Sequence, residues 1–203
     1  MRVFYVIYVQ EEPFKSYINA VRLLCDPAEK NSAHLTVRGP YQRRYSTDQL
    51  MELNRWIKGE RIHVWGTGSF LGPKQNTIFL ECESPNLPRV WHKPHYGYRP
   101  HVTLYDGASR ETADSLLDIL ECLKIDFQFL SEGLSPVIVN SGQKNLVLRC
   151  NISPDIVAGA VGMRTDLLRE VDRMSQTERL QWAGEILRVL SGLAEQHPMA
   201  IAL

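Results

Sequence analysis

Two stretches decide how this chain is read: His34-Leu35-Thr36-Val37-Arg38-Gly39-Pro40 and Arg99-Pro100-His101-Val102-Thr103-Leu104-Tyr105. Each contains His, an apolar residue, Thr and a second apolar residue, in a setting that favours extended backbone. Side chains alternate faces along a strand, so His34, Thr36 and Arg38 share one face while Leu35 and Val37 take the other. The same count puts His101, Thr103 and Tyr105 together, with Val102 and Leu104 turned toward a core. With six histidines in 203 residues, composition alone gives about 0.2 His-x-Thr matches. Two matches in equivalent settings are therefore not an accident of composition.

Working outward, Val3–Gln10 reads as a buried strand, and residues 13–25 carry apolar side chains at helical spacing (Phe14, Ile18, Val21, Leu24). Ala33–Gly39 is the first His-x-Thr strand. Ser46-Thr47-Asp48-Gln49 has capping-box spacing and opens a helix to about Lys58. Strands follow at Arg61–Phe70 and Thr77–Glu83, joined by the turn composition Gly72-Pro73-Lys74-Gln75-Asn76. A short helix near Leu87–Trp91 leads through a Pro-, His- and Tyr-rich loop to the strand His101–Tyr105. Then come a helix from Ser109 to about Leu123, an interrupted strand over Phe127–Val139, and a strand over Asn145–Cys150.

Each half thus runs strand, helix, His-x-Thr strand, helix, strand, an internal repeat. The expected class is α+β: two pseudo-symmetric lobes, each a mainly antiparallel sheet with outer helices, around a central cleft. After Ser153 the pattern is helical only. Ser153-Pro154-Asp155 starts one helix and the capping box Ser175-Gln176-Thr177-Glu178 starts a second, running to about Leu193. The organisation read from this is a bilobal domain over residues 1–152 and a C-terminal helical hairpin over 153–203. That hairpin packs on its own domain, on a second copy or on another protein.

The chain balances 23 basic against 23 acidic residues, which argues against the broad cationic surface of a non-specific duplex binder. The apolar start is too short to span a membrane and runs into Glu11 and Glu12. Cys25, Cys82, Cys122 and Cys150 form no C-x-x-C pair and read as reduced core residues. A cytoplasmic protein without membrane attachment is expected.

Cleaving a phosphodiester requires a base for the attacking oxygen and an acid for the departing one. Imidazole serves as either near neutral pH. Two imidazoles flanking one phosphorus assist both proton transfers, and the threonine hydroxyls donate to the non-bridging oxygens as charge builds there. Neither metal nor cofactor is expected, because His92, His95 and His101 have no carboxylate or cysteine at ligand spacing.

The doubled motif resembles that of the 2H phosphoesterase superfamily, the LigT-like group of 2′-5′ RNA ligases and cyclic phosphodiesterases. Gly66-Thr67-Gly68-Ser69-Phe70, before Thr77-Ile78-Phe79-Leu80, is similar to a hairpin of that family, and the resemblance covers about residues 1–150. It implies that His34 and His101 are the catalytic pair and that Thr36 and Thr103 hold the phosphate. It also implies an RNA or small-nucleotide substrate with a 2′,3′-cyclic phosphate or 2′-5′ linkage, with ligation as the reverse direction. The alternative is a nucleotide- or RNA-binding sensor that keeps the cleft without turnover.

Around the motifs, Arg38 is the first candidate for a phosphate contact, against a solvated surface arginine. Tyr105 either stacks on a base or packs at the sheet end. Tyr41, after the first motif, and Tyr98 and Arg99, before the second, are further candidates for contacting substrate.

Overall fold

The computed structural model describes residues 1–28, 31–93, 97–139 and 152–196. The β-branched and aromatic run near the start produces strand β1 (Arg2–Tyr8), and the helical spacing after Pro13 produces α1 (Phe14–Cys25). The remaining elements are β2 (His34–Tyr41), α2 (Thr47–Ile57), β3 (Arg61–Leu71), β4 (Asn76–Glu83), α3 (Leu87–Val90), β5 (His101–Gly107), α4 (Arg110–Glu121), β6 (Asp126–Leu130), β7 (Ser135–Val139), α5 (Pro154–Val161) and α6 (Gln176–Gln196). Both capping boxes form. Ser46 Oγ accepts from Gln49 N at 3.2 Å while Gln49 Oε1 accepts from Ser46 N at 2.9 Å, and Ser175 and Glu178 repeat the exchange at 3.2 and 2.8 Å.

The strands form one seven-stranded antiparallel sheet in the order β6-β3-β4-β5-β2-β1-β7. The two His-x-Thr strands are central neighbours, in register at Leu35 and Val102. Beyond that pair, β2 takes a different partner: His92 N donates to Val37 O at 3.0 Å, and Gly39 N donates to His92 O at 3.2 Å. The sequence repeat does not follow the spatial division. β3, counted in the first half, pairs with β4, and the expected interrupted strand splits into β6 and β7 on opposite edges of the sheet. The break between them is held where Leu134 N donates to Asn54 Oδ1 of α2 at 2.7 Å. The strand expected over Asn145–Cys150 lies outside the described residues.

Leu35, Val37, Val102 and Leu104 are buried in a single apolar core with Ile18, Val21 and Leu24 of α1 and Leu116 and Leu120 of α4. The C-terminal helices share this core, since Ala183, Ile186, Leu187 and Leu190 of α6 have no exposed surface. Burial of each large side chain is worth about 1.5–3 kcal/mol, so residues 153–196 belong to the same packed unit as the sheet. The apolar run after Ser153 is one helix only as far as Gly162, whose φ of +67° ends α5. Leu168 and Val171 then reach the core from short 3-10 turns. Cys25 and Cys82 are buried as expected, whereas Cys122 is exposed at the end of α4. No helix among the described residues is long and apolar enough to cross a membrane.

One glycine is dictated by packing. Gly39 has φ of +105°, and a Cβ there would lie 2.6 Å from the carbonyl oxygen of Val3. The Gly39-Pro40 end of the first motif thereby lies flush against β1.

Candidate active site

The register of β2 on β5 determines the site. Leu35 opposite Val102 places His34 opposite Thr103 and Thr36 opposite His101, with all four side chains on the face away from the core and all four half-buried. Directly opposed positions in an antiparallel pair are about 4.5–5.5 Å apart, and diagonal ones about 7–8 Å. The two histidines form one diagonal of this square and the two threonines the other.

Both imidazoles are held by the same device. His34 Nδ1 lies 2.7 Å from the carbonyl oxygen of Ser32, and His101 Nδ1 lies 2.7 Å from that of Arg99. A carbonyl only accepts, so each Nδ1 carries the proton and donates it to the residue two positions earlier. That leaves Nε2 as the basic nitrogen of each neutral ring. His101 packs against Phe79 (ring centroids 4.5 Å) and edge-on to Phe70 (5.8 Å). Burial moves its pKa below the ordinary imidazole value. The bond to Arg99 O and the charge of Asp106 oppose that shift, while Lys93 and Arg99 add to it.

Helix α1 braces both motif strands. Asn19 Oδ1, fully buried, accepts from the backbone N–H of Ala33 at 2.6 Å, beside His34. One turn on, the buried Arg22 guanidinium donates to the carbonyl of Thr103. Polar side chains at i and i+3 on the core face of a helix conflict with the apolar pattern, and these backbone bonds resolve the conflict. The sequence signal was the polar break in an otherwise apolar helical stripe.

Two cavities are lined by the motif residues. One, about 720 Å³, is lined by His101 and Thr103 together with Phe70, Leu71, Gln75, Thr77, Trp91, Lys93, Arg99 and Asp106. The other, about 470 Å³, is lined by His34 and Thr36 together with Phe4, Val6, Tyr8, Asn31, Ser32, Arg44 and residues 136–139 of β7. Each cavity therefore takes one His-Thr pair.

The remaining sequence candidates divide. Arg99 lines the larger cavity, its guanidinium 4.9 Å from the Phe70 ring centroid and 3.7 Å from Glu81. Tyr98 is half exposed and stands edge-on to Trp91, at 5.3 Å, without lining either cavity. Arg38 shares the face of His34 as expected, but its guanidinium is committed elsewhere: Nε donates to Tyr45 Oη at 3.0 Å and an Nη to Val90 O at 2.6 Å. Tyr41 is stacked on His92 and shares a 2.5 Å hydrogen bond with its Nδ1. Burial, with a hydrogen bond to Tyr45, pushes the Tyr41 phenol up to about 12. Neither Arg38 nor Tyr41 lines a cavity. His92 thus serves the Tyr41 cluster, and His95 lies outside the described residues.

Tyr105 is a correction. It faces the core, 5% exposed, with its hydroxyl donating to Ser109 O at 3.2 Å and accepting from Ser109 N at 2.9 Å. A β-bulge is the cause. Thr103 pairs with Phe79 and Tyr105 with the adjacent Ile78, so Leu104 is an extra residue and the alternation reverses. Asp106, unforeseen, takes the place Tyr105 was expected to fill at the cavity wall. It accepts from Gln75 Nε2 at 2.9 Å and from Thr77 Oγ1 at 2.6 Å.

The square is thus a pair of imidazoles, each oriented by its Nδ1–carbonyl bond, with paired hydroxyls, an arrangement suited to moving two protons around one tetrahedral centre. No family model matches the chain, and no curated protein matches it.

Proposed function

We propose that the protein is a phosphodiesterase of the 2H type, cleaving 2′,3′-cyclic phosphate or 2′-5′ phosphodiester bonds at RNA ends or in small nucleotides without a metal. In this reading β2-β1-β7 and β5-β4-β3-β6 correspond to the two pseudo-symmetric lobes of that fold, and the square lies along the cleft between them. The observation that supports it is the matched Nδ1–carbonyl bond on His34 and His101, which orients two imidazoles in the same way on adjacent strands.

One histidine takes a proton from water as its oxygen bonds to phosphorus. The other gives a proton to the ribose oxygen as the old P–O bond breaks, leaving a phosphomonoester and a hydroxyl. Thr36 and Thr103 donate to the non-bridging oxygens. With the hydroxyl of a second RNA end in place of water, the same pair opens a 2′,3′-cyclic phosphate and joins the two ends, the released ribose oxygen taking the proton. His101, kept neutral by its surroundings, is suited to the base role in hydrolysis.

The test is hydrolysis of a panel of 2′,3′-cyclic nucleotides and 2′-5′ dinucleotides, with products resolved by mass. His34→Ala and His101→Ala are each expected to lose at least about 10²-fold in kcat, the usual worth of a positioned acid or base, while EDTA has no effect. Full activity in either variant refutes the assignment. Tight binding with no product after prolonged incubation supports a sensor instead.

A further inference from the structure

Beyond Leu35, β2 takes residues 91–93 as its neighbour. His92 N donates to Val37 O at 3.0 Å and Gly39 N to His92 O at 3.2 Å, a one-residue parallel bridge centred on Arg38. Two side chains of β2 hold the same segment. The Arg38 guanidinium spans two acceptors, Nε donating to Tyr45 Oη at 3.0 Å and an Nη to the carbonyl of Val90, just ahead of Trp91, at 2.6 Å. Tyr45 is itself fixed by stacking on the buried Tyr5, with ring centroids 4.5 Å apart. Tyr41 stacks on His92 and shares the 2.5 Å hydrogen bond with its Nδ1. On either side of the clamped His92, Trp91 and Lys93 line the larger cavity with His101, the Lys93 ammonium 5.5 Å from the Trp91 ring centroid. An irregular segment presents side chains in fixed places only where a regular element holds its backbone.

We propose that Arg38 is a positioning residue: with Tyr41 and His92 it fastens residues 91–93 to the first motif strand, and so sets where the Trp91 ring and the Lys93 ammonium stand in the cavity of the second motif. The strand that carries one histidine thereby shapes the binding wall beside the other. A planar fork suits this task, because it satisfies two acceptors at once. The bearing on turnover rests on the phosphodiesterase reading; the fastening does not.

His101 reports on the fastening without a substrate. The charges that face it are Lys93 and Arg99, ahead of β5, and Asp106, near the end of β5, and the Lys93 ammonium opposes its protonation. Arg38→Gln releases Val90 and is expected to move the His101 NMR titration upward by about as much as Lys93→Gln does, up to about half a pH unit. In the Lys93→Gln background the same change is expected to add nothing, because both act through one ammonium. No shift in Arg38→Gln, or an equal shift in both backgrounds, overturns the fastening. Tyr41→Phe, which removes a hydroxyl and no charge, replaces Arg38→Gln if that variant melts early by circular dichroism. Should Lys93→Gln leave His101 unmoved, amide hydrogen exchange decides. Exchange about tenfold faster at His92 and Gly39, with the β5 amides unchanged, upholds the fastening, and unchanged exchange removes it. In turnover of adenosine 2′,3′-cyclic phosphate above the imidazole pH range, Arg38→Gln is expected to raise KM at least about fivefold and to keep kcat within about twofold. A fall in kcat at constant KM overturns the binding-wall role. A native protein that cleaves no ester sinks the phosphodiesterase reading and leaves the titration to decide the fastening.

Discussion

Replacing Lys93 by Gln removes one of the two cations that depress the His101 pKa, and the consequence is measurable without a substrate. His101 is pressed between Phe79 and Phe70, so water solvates its charged form poorly, and Lys93 and Arg99 oppose a further positive charge. Burial is the larger influence and persists in the variant, so the pKa rises only part of the way back toward its ordinary value. A single charge acting across a partly solvated cavity is worth roughly 0.5–1 kcal/mol, or about half a pH unit. The assay is a proton NMR titration of the imidazole resonances, assigned with His101→Gln. His101 is expected to titrate below the ordinary imidazole value of about 6.5, and Lys93→Gln to move it upward. His63 serves as an internal contrast. Burial lowers its pKa, but hydrogen bonds to Asp126 at 2.9 Å and Glu83 at 3.1 Å outweigh that and raise it. The two residues also act oppositely on stability. His101, depressed when folded, contributes stability that is fully present above the unfolded imidazole pKa and lost as pH falls through its folded value. His63, raised when folded, contributes stability that is present below the unfolded pKa and lost as pH rises through its folded value. A His101 resonance titrating at or above the ordinary value in the native protein refutes the account of its neutrality.

Tyr105→Phe removes both hydrogen bonds to Ser109 and is expected to cost about 0.5–1.5 kcal/mol in urea unfolding, because Ser109 is exposed and its carbonyl still accepts from Ala113 N. It leaves nucleotide affinity untouched, whereas a tyrosine lining the cleft would not. Leu187→Ala, in the fully buried stripe of α6, is expected to cost about 2–5 kcal/mol within a single unfolding transition. A separate early transition would instead mark the C-terminal helices as an independent unit.

Much of this fold is legible in one dimension. Period-two runs, helical stripes and two capping boxes locate nearly every described element, because they depend on neighbours in sequence. What escapes depends on partners distant along the chain. That β3 joins the second half of the sheet and β7 returns to β1 is a matter of pairing, which period and propensity do not encode. The bulge at Leu104 is invisible for the same reason: it exists only relative to β4, and one extra residue there exchanges Tyr105 for Asp106 at the cavity wall. Arg38 lies on the face its spacing indicates. Its guanidinium is held instead by Tyr45 and by the Val90 carbonyl, 52 residues away. The four motif residues were readable because their placement needs only strand alternation and one register pair.

The carbonyls that hold the two imidazoles belong to a serine and to an arginine, side chains with nothing in common. Because the main-chain oxygen does the holding, ring orientation at both motifs is insulated from substitution at the residue that supplies it. Positions 32 and 99, each on the wall of one cavity, are therefore free to diverge with the needs of that cavity while the orientation of the two rings stays where it is.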